Sequence, residues 1–74
     1  MTIDFEDYDG YYIASMTADE LPNLYDFIQI KTANRKCNGR VMFIEKKYNI
    51  TANSIDAIVR IDYKIPKNDL ESLW

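Results

Sequence analysis

The stretch Ser54–Ile65, SIDAIVRIDYKI, constrains this chain more than any other. Ile55, Ala57, Val59, Ile61, Tyr63 and Ile65 fall on one parity, and Asp56, Arg60, Asp62 and Lys64 on the other, with Ile58 the exception. Alternation of this kind matches the two-residue repeat of a β-strand that buries one face. It requires a sheet with a core on one side and an antiparallel neighbour whose other face tolerates water. Pro66, which has no N–H to give a ladder, ends the run.

Two further strand regions follow from the same logic. Arg40–Tyr48, RVMFIEKKY, has a continuous apolar centre and predicts a strand buried on both faces, hence a central one. Near the start, DFEDYDGYY places Asp9-Gly10 between two alternating runs. Asp-Gly predicts a two-residue hairpin loop, because a type I′ turn needs positive φ at both central positions. Tyr8 then pairs with Tyr11, Asp7 with Tyr12, Glu6 with Ile13, Phe5 with Ala14 and Ile3 with Met16. That register puts Ile3, Phe5, Asp7, Tyr12, Ala14 and Met16 on the core face. Asp4, Glu6, Tyr8, Tyr11, Ile13 and Ser15 take the opposite face.

Between the hairpin and Arg40 the pattern predicts a helix. Thr17 and Glu20 form a T-x-x-E capping box, and Leu21, Leu24, Tyr25 and Ile28 recur at helical spacing. Pro22 either begins that helix or distorts its first turn. Asn38-Gly39 supplies the stop, with Lys31, Arg35 and Lys36 near the negative end of the dipole. KNDLESLW at the end can form one or two helical turns, capped by Asn68 or Asp69. The expected fold is a single α+β domain over residues 1–74, β-β-α-β-β(-α), with one main helix packed on a four-stranded, mainly antiparallel sheet. Tyr8, Tyr11, Ile13 and Ile58 would lie on the sheet's open face.

Composition narrows the function. A chain of 74 residues supports a core of modest stability. One cysteine and no histidine leave neither an internal disulfide nor a zinc cluster to reinforce it. Docking onto a partner, or a homodimer, is the expected supplement, with no metal and no cofactor. The absence of histidine removes the commonest general base, and no phosphate-cradling glycine motif occurs. Asp4/Glu6 and Asp7/Asp9 read as solvated acids and Cys37 as a structural thiol. The expectation is therefore a protein that is not an enzyme. With no basic-then-apolar leader and no apolar run of membrane length, a cytoplasmic location is expected.

Charge is divided along the chain. Residues 1–30 hold seven acids and no Lys or Arg, whereas residues 31–74 hold nine bases and five acids, so the halves stand at −7 and +4. Two candidate surfaces result. Asp4, Glu6, Tyr8, Asp9 and Tyr11, with Asp19 and Asp26, would meet a protein with a basic surface, such as a nucleic-acid-binding effector. Tyrosine brings large contact area at low entropic cost, and acids steer association. The alternative is a small nucleic-acid-binding regulator using Lys31, Arg35, Lys36, Arg40, Lys46 and Lys47, with Phe43 and Tyr48 beside them. A pI of about 4.7 argues against the alternative.

Two stretches carry resemblances. YYIASMTADELPNLYDFI (Tyr11–Ile28) looks like the opening strand and first helix of GNAT-type acetyltransferases. The Q/R-x-x-G-x-G/A turn that would hold acetyl-CoA is missing, so the resemblance implies a strand-to-helix geometry and not an activity. NGRVMFIE (Asn38–Glu45) is similar to a helix-to-strand junction in some small phage-encoded inhibitors of host defence, including anti-CRISPR proteins. That resemblance implies a non-catalytic inhibitor acting in the host cytoplasm, and carries no residue roles.

Overall fold

The structure is a computed structural model, and it describes residues 1–34 and 36–62. Five strands follow in order: β1 (Thr2–Asp7), β2 (Tyr12–Thr17), β3 (Phe27–Lys31), β4 (Lys36–Asn49) and β5 (Ser54–Asp62). They form one mixed sheet in the order β2-β1-β5-β4-β3. β5 lies in the middle, parallel to β1 and antiparallel to β4. Its alternation holds from Ala57 onward: Ala57, Val59 and Ile61 are buried and Ile58, Arg60 and Asp62 alternate with them, whereas Ile55, expected on the buried face, is exposed. The sheet curls so that both edge strands, β2 and β3, reach toward one core, giving a barrel-like wall that is not closed. Ile3, Val41, Val59 and Ile61 are the largest fully buried side chains. Each stabilises the fold by roughly 1.5–3 kcal/mol through area removed from water.

The expected main helix is absent, and the α+β assignment is corrected to an all-strand sheet in the described residues. Residues 18–26 instead cross from one sheet edge to the other and become β3. Pro22 lacks the N–H that a helical turn would use. Asp26 then builds a turn on the spot: its Oδ2 accepts from the Asn23 N–H at 3.0 Å, and its own N–H donates to the Asn23 carbonyl at 3.2 Å. Tyr25 takes a left-handed φ of 72°, which no helix interior contains. Phe27-Ile28-Gln29-Ile30-Lys31 is a β-branched alternation, and pairing buries Ile30 beside Cys37. Of the predicted helical stripe, Leu21 and Ile28 do pack on the core, whereas Leu24 and Tyr25 are exposed.

Asn38-Gly39 is likewise no helix stop but the interior of β4. A Cβ on Gly39 would lie 3.1 Å from the Asp62 carbonyl oxygen and 3.2 Å from the Ile61 Cβ. Glycine is there because the end of β5 presses against it. β4 pairs with β3 over its first residues and with β5 from Arg40 onward, and an extra residue at Met42 shifts the register between those halves. A bulge of this kind bends and twists a strand, which is how one strand serves both sides of a curled sheet. The last part of the predicted fourth strand (63–65) and the terminal helical turns lie outside the described residues.

Candidate functional site

The β1–β2 hairpin differs from its expected form by one residue at the tip. Thr2–Thr17, Ile3–Met16, Asp4–Ser15 and Phe5–Ala14 pair as the alternation requires, but Glu6 pairs with Tyr12. The loop is Tyr8-Asp9-Gly10, closed by the Asp7 N–H donating to the Tyr11 carbonyl at 2.8 Å and the Gly10 N–H donating to the Asp7 carbonyl at 3.0 Å. Gly10 has a φ of 94°, a left-handed position following the turn. Asp7 holds the loop from inside: its Oδ1 accepts from the N–H groups of Asp9 and Tyr11, each at 2.9 Å. This three-residue loop, not the two-residue one, is what Asp-Gly encodes here.

The one-residue difference decides which way side chains face. With Tyr12 opposite Glu6, Tyr12 sits on the outer face and is 62% exposed, although the two-residue loop would have buried it. Ile13 is the extra residue that restores register below, and it turns into the core together with Ala14 opposite Phe5. Ile13 therefore leaves the open face on which the sequence placed it. Met16, expected in the core, is 51% exposed because the sheet does not close over it.

The tip thus carries three tyrosines rather than two. Tyr8 is 53% and Tyr11 73% exposed, and Tyr12 joins them. Tyr12 is anchored: its hydroxyl lies 2.8 Å from Ser15 Oγ, which donates to Asp4 Oδ1 at 2.6 Å. Arg60 braces the tip from below. Its Nε donates to Glu6 Oε1 at 3.0 Å, and its guanidinium lies 4.9 Å from the Phe43 ring centroid. These bonds engage Asp4, Glu6 and Asp7 internally and leave Asp9 as the acid presented at the apex. Tyr12 was legible only through the loop length, which its neighbours' pairing determines and its own identity does not.

Asp19 and Asp26 do not join this patch. Asp19 is exposed after β2, beside Met1, Thr2 and the start of β5, at the opposite end of β1 from the tip. Asp26 is exposed in the turn before β3. The basic set is also divided. Lys31 and Lys36 face each other across β3 and β4. Arg40 lies over the Phe27 ring at 4.3 Å and donates to the Tyr25 carbonyl at 3.0 Å. Lys46 and Lys47 follow about ten residues beyond Lys36 on β4, roughly 33 Å of extended strand, and Lys47 lies 4.0 Å from Glu45. Arg35 lies outside the described residues.

Among the described residues no group of three or more His, Cys, Asp or Glu could hold a metal ion, and Cys37 is a buried free thiol. No helix among them is long and apolar enough to cross a membrane. No family model, no curated protein and no solved structure matches this chain.

Proposed function

We propose that this chain is a non-catalytic protein-binding module of the phage-type inhibitor kind, which meets a basic surface of a host-defence or nucleic-acid-handling protein through the β1–β2 tip. The observation that carries this reading is the tip itself: Tyr8, Tyr11 and Tyr12 stand exposed around Asp9 on a loop that Asp7 fixes with two side-chain bonds. Such a surface loses little conformational entropy on binding, since the loop is already ordered and each tyrosine has few torsions to freeze. Asp9, and the acids bound just beneath it, favour a cationic partner and make association sensitive to salt.

The test is comparative capture. Immobilised wild type and a Tyr8→Ala/Tyr11→Ala variant are presented with the same cell lysate, and recovered proteins are identified by mass. The reading expects a protein retained by the wild type, lost with the variant and released by salt. Equal recovery by both would refute it.

A second reading has one observation in its favour. Lys31 sits directly opposite Lys36, an arrangement that costs stability and that an anionic ligand would relieve. A nucleic-acid regulator would then use this end of the sheet. It expects a gel shift with short single-stranded DNA or RNA that weakens steeply with salt. No shift at low salt removes it.

A further inference from the structure

Between β2 and β3 the wall of the sheet is open. The cleft there has a volume of ≈ 440 Å³, and its floor includes Ile3, Phe5, Ala14, Met16, Ile28 and Ile30. Both bordering strands are sheet edges. The ladder tells which of their backbone groups face the gap. Met1 and Ala18 exchange two hydrogen bonds, of 3.1 and 3.0 Å. Bonded and non-bonded pairs alternate along an antiparallel ladder, so Ile3–Met16 is bonded while Thr2–Thr17 and Asp4–Ser15 are not. The N–H and C=O of Ser15 and Thr17 therefore turn away from β1. On the other side, the Val41 N–H donates to the Asp26 carbonyl at 2.8 Å, which makes Ile28–Gly39 and Ile30–Cys37 the bonded pairs. Gln29 and Lys31 accordingly point their backbone groups outward. Ser15, Gln29 and Lys31 line the cleft even though their neighbours Ala14, Ile28 and Ile30 supply its apolar floor.

Natural edges are blunted with charge, proline or bulges. β2 is YIASMT, with neither a charge nor a proline, and its bulge lies at Ile13, away from Ser15 and Thr17. β3 carries one charge, at its last residue. Each edge thus keeps a stretch clear of these devices, Ser15–Thr17 on β2 and Ile28–Ile30 on β3, and two such stretches bordering one apolar slot can pair with an added strand on both sides. The rim supplies charge of each sign: Glu20 and Lys31 line the cleft, and neither makes an ion pair among the described residues.

We infer that the cleft receives an extended segment of a partner protein, with apolar residues at alternate positions and one base and one acid flanking them, as a strand between β2 and β3. Its apolar side chains lie on the Phe5–Met16–Ile28–Ile30 floor, its base meets Glu20 and its acid meets Lys31. This contact is separate from the tyrosine tip and does not depend on it.

The test uses synthetic seven-residue peptides that carry Lys at position two, Glu at position six and Thr at positions one, four and seven, and hold Val, Ile, Leu or Phe at positions three and five. Amide hydrogen exchange is followed on the full chain. The inference expects exchange at Ser15, Thr17, Gln29 and Lys31 to slow by about tenfold or more on peptide addition, with Ala14 and Met16 unchanged. The same peptides methylated at alternate backbone nitrogens should not bind. Thr17→Pro removes an N–H the sheet does not use, so it should abolish peptide binding while keeping the melt. Met16→Lys, which puts a charge on the floor at an already exposed position, should do the same. Tyr8→Ala/Tyr11→Ala should leave peptide uptake intact, which separates this contact from the tip. Failure of every peptide to millimolar concentration overturns the inference. So does slow exchange at those four amides before any peptide is added, because a segment of the same chain or a second copy would then fill the slot.

Discussion

Replacing Gly39 by alanine should destabilise this protein, and the sign is the informative part. Gly39 has no positive φ, so nothing in its backbone requires glycine. At such a strand position Gly→Ala ordinarily stabilises by roughly 0.4–1 kcal/mol, because the unfolded chain loses freedom. Here the new methyl would sit 3.1 Å from the Asp62 carbonyl oxygen, 3.2 Å from the Ile61 Cβ and 3.3 Å from the Asp62 carbonyl carbon. These atoms cannot swing aside, since Asp62 and Ile61 are fixed opposite Arg40 and Val41 in the ladder. Forcing a methyl into a packed site costs typically about 1–3 kcal/mol, which after the entropic gain leaves a net loss of roughly 1–2 kcal/mol. For a domain of this size each kcal/mol lowers Tm by roughly 4–8 °C, so thermal denaturation followed by circular dichroism should show a loss of about 4–16 °C. Gly10 is the control. Its Cβ would meet nothing nearer than Arg60 Nη2 at 3.9 Å, but its φ of 94° penalises alanine. Asparagine tolerates left-handed backbone, so Gly10→Asn should recover much of what Gly10→Ala loses, whereas Gly39→Asn should be no better than Gly39→Ala. A Gly39→Ala protein as stable as wild type, or rescue of position 39 by asparagine, would refute the packing of β5 onto β4.

Other perturbations follow from the same contacts. Asp7→Ala removes the acceptor of two loop amides and should cost about 1–2 kcal/mol in chemical denaturation, while Asp7→Asn, which keeps an acceptor oxygen, should cost less. Arg60→Ala removes the Glu6 bond and the Phe43 contact together, for about 1–2 kcal/mol, discounted because the guanidinium is partly solvated. Lys31→Glu turns a like-charge cross-strand pair into an attractive one and should stabilise by roughly 0.2–1 kcal/mol, an effect that shrinks with added salt.

What could be read in advance was the part governed by strict alternation. Ala57, Val59 and Ile61 lie in the core, and Ile3–Met16 and Phe5–Ala14 pair, because period two leaves a half-buried strand no other choice. The crossover was misread because Thr17, Glu20 and the Leu21–Ile28 spacing satisfy helical rules locally. A helix running from Thr17 to the Asn38-Gly39 stop would have cost the strand pairing of Ile28 with Gly39 and of Ile30 with Cys37. Pro22 and the Ile-Gln-Ile-Lys alternation carried the opposing signal, and tertiary pairing decided between them. At the tip the composition was visible but the loop length was not. Asp7 sets that length by capping two amides, and Tyr12 moved outward with it.

The central claim is that the tyrosine tip is the surface that binds a protein. The direct measurement is the Kd of the captured partner for wild type and for Tyr8→Ala/Tyr11→Ala, by calorimetry, with both melts recorded. Interface anchors of this kind are worth about 2 kcal/mol or more. The account predicts that Kd rises by roughly 30-fold or more, while Tm stays within a few degrees because both side chains are more than half exposed. A Kd unchanged within about threefold would contradict it, and so would a variant that loses its fold, since the tyrosines would then belong to the core.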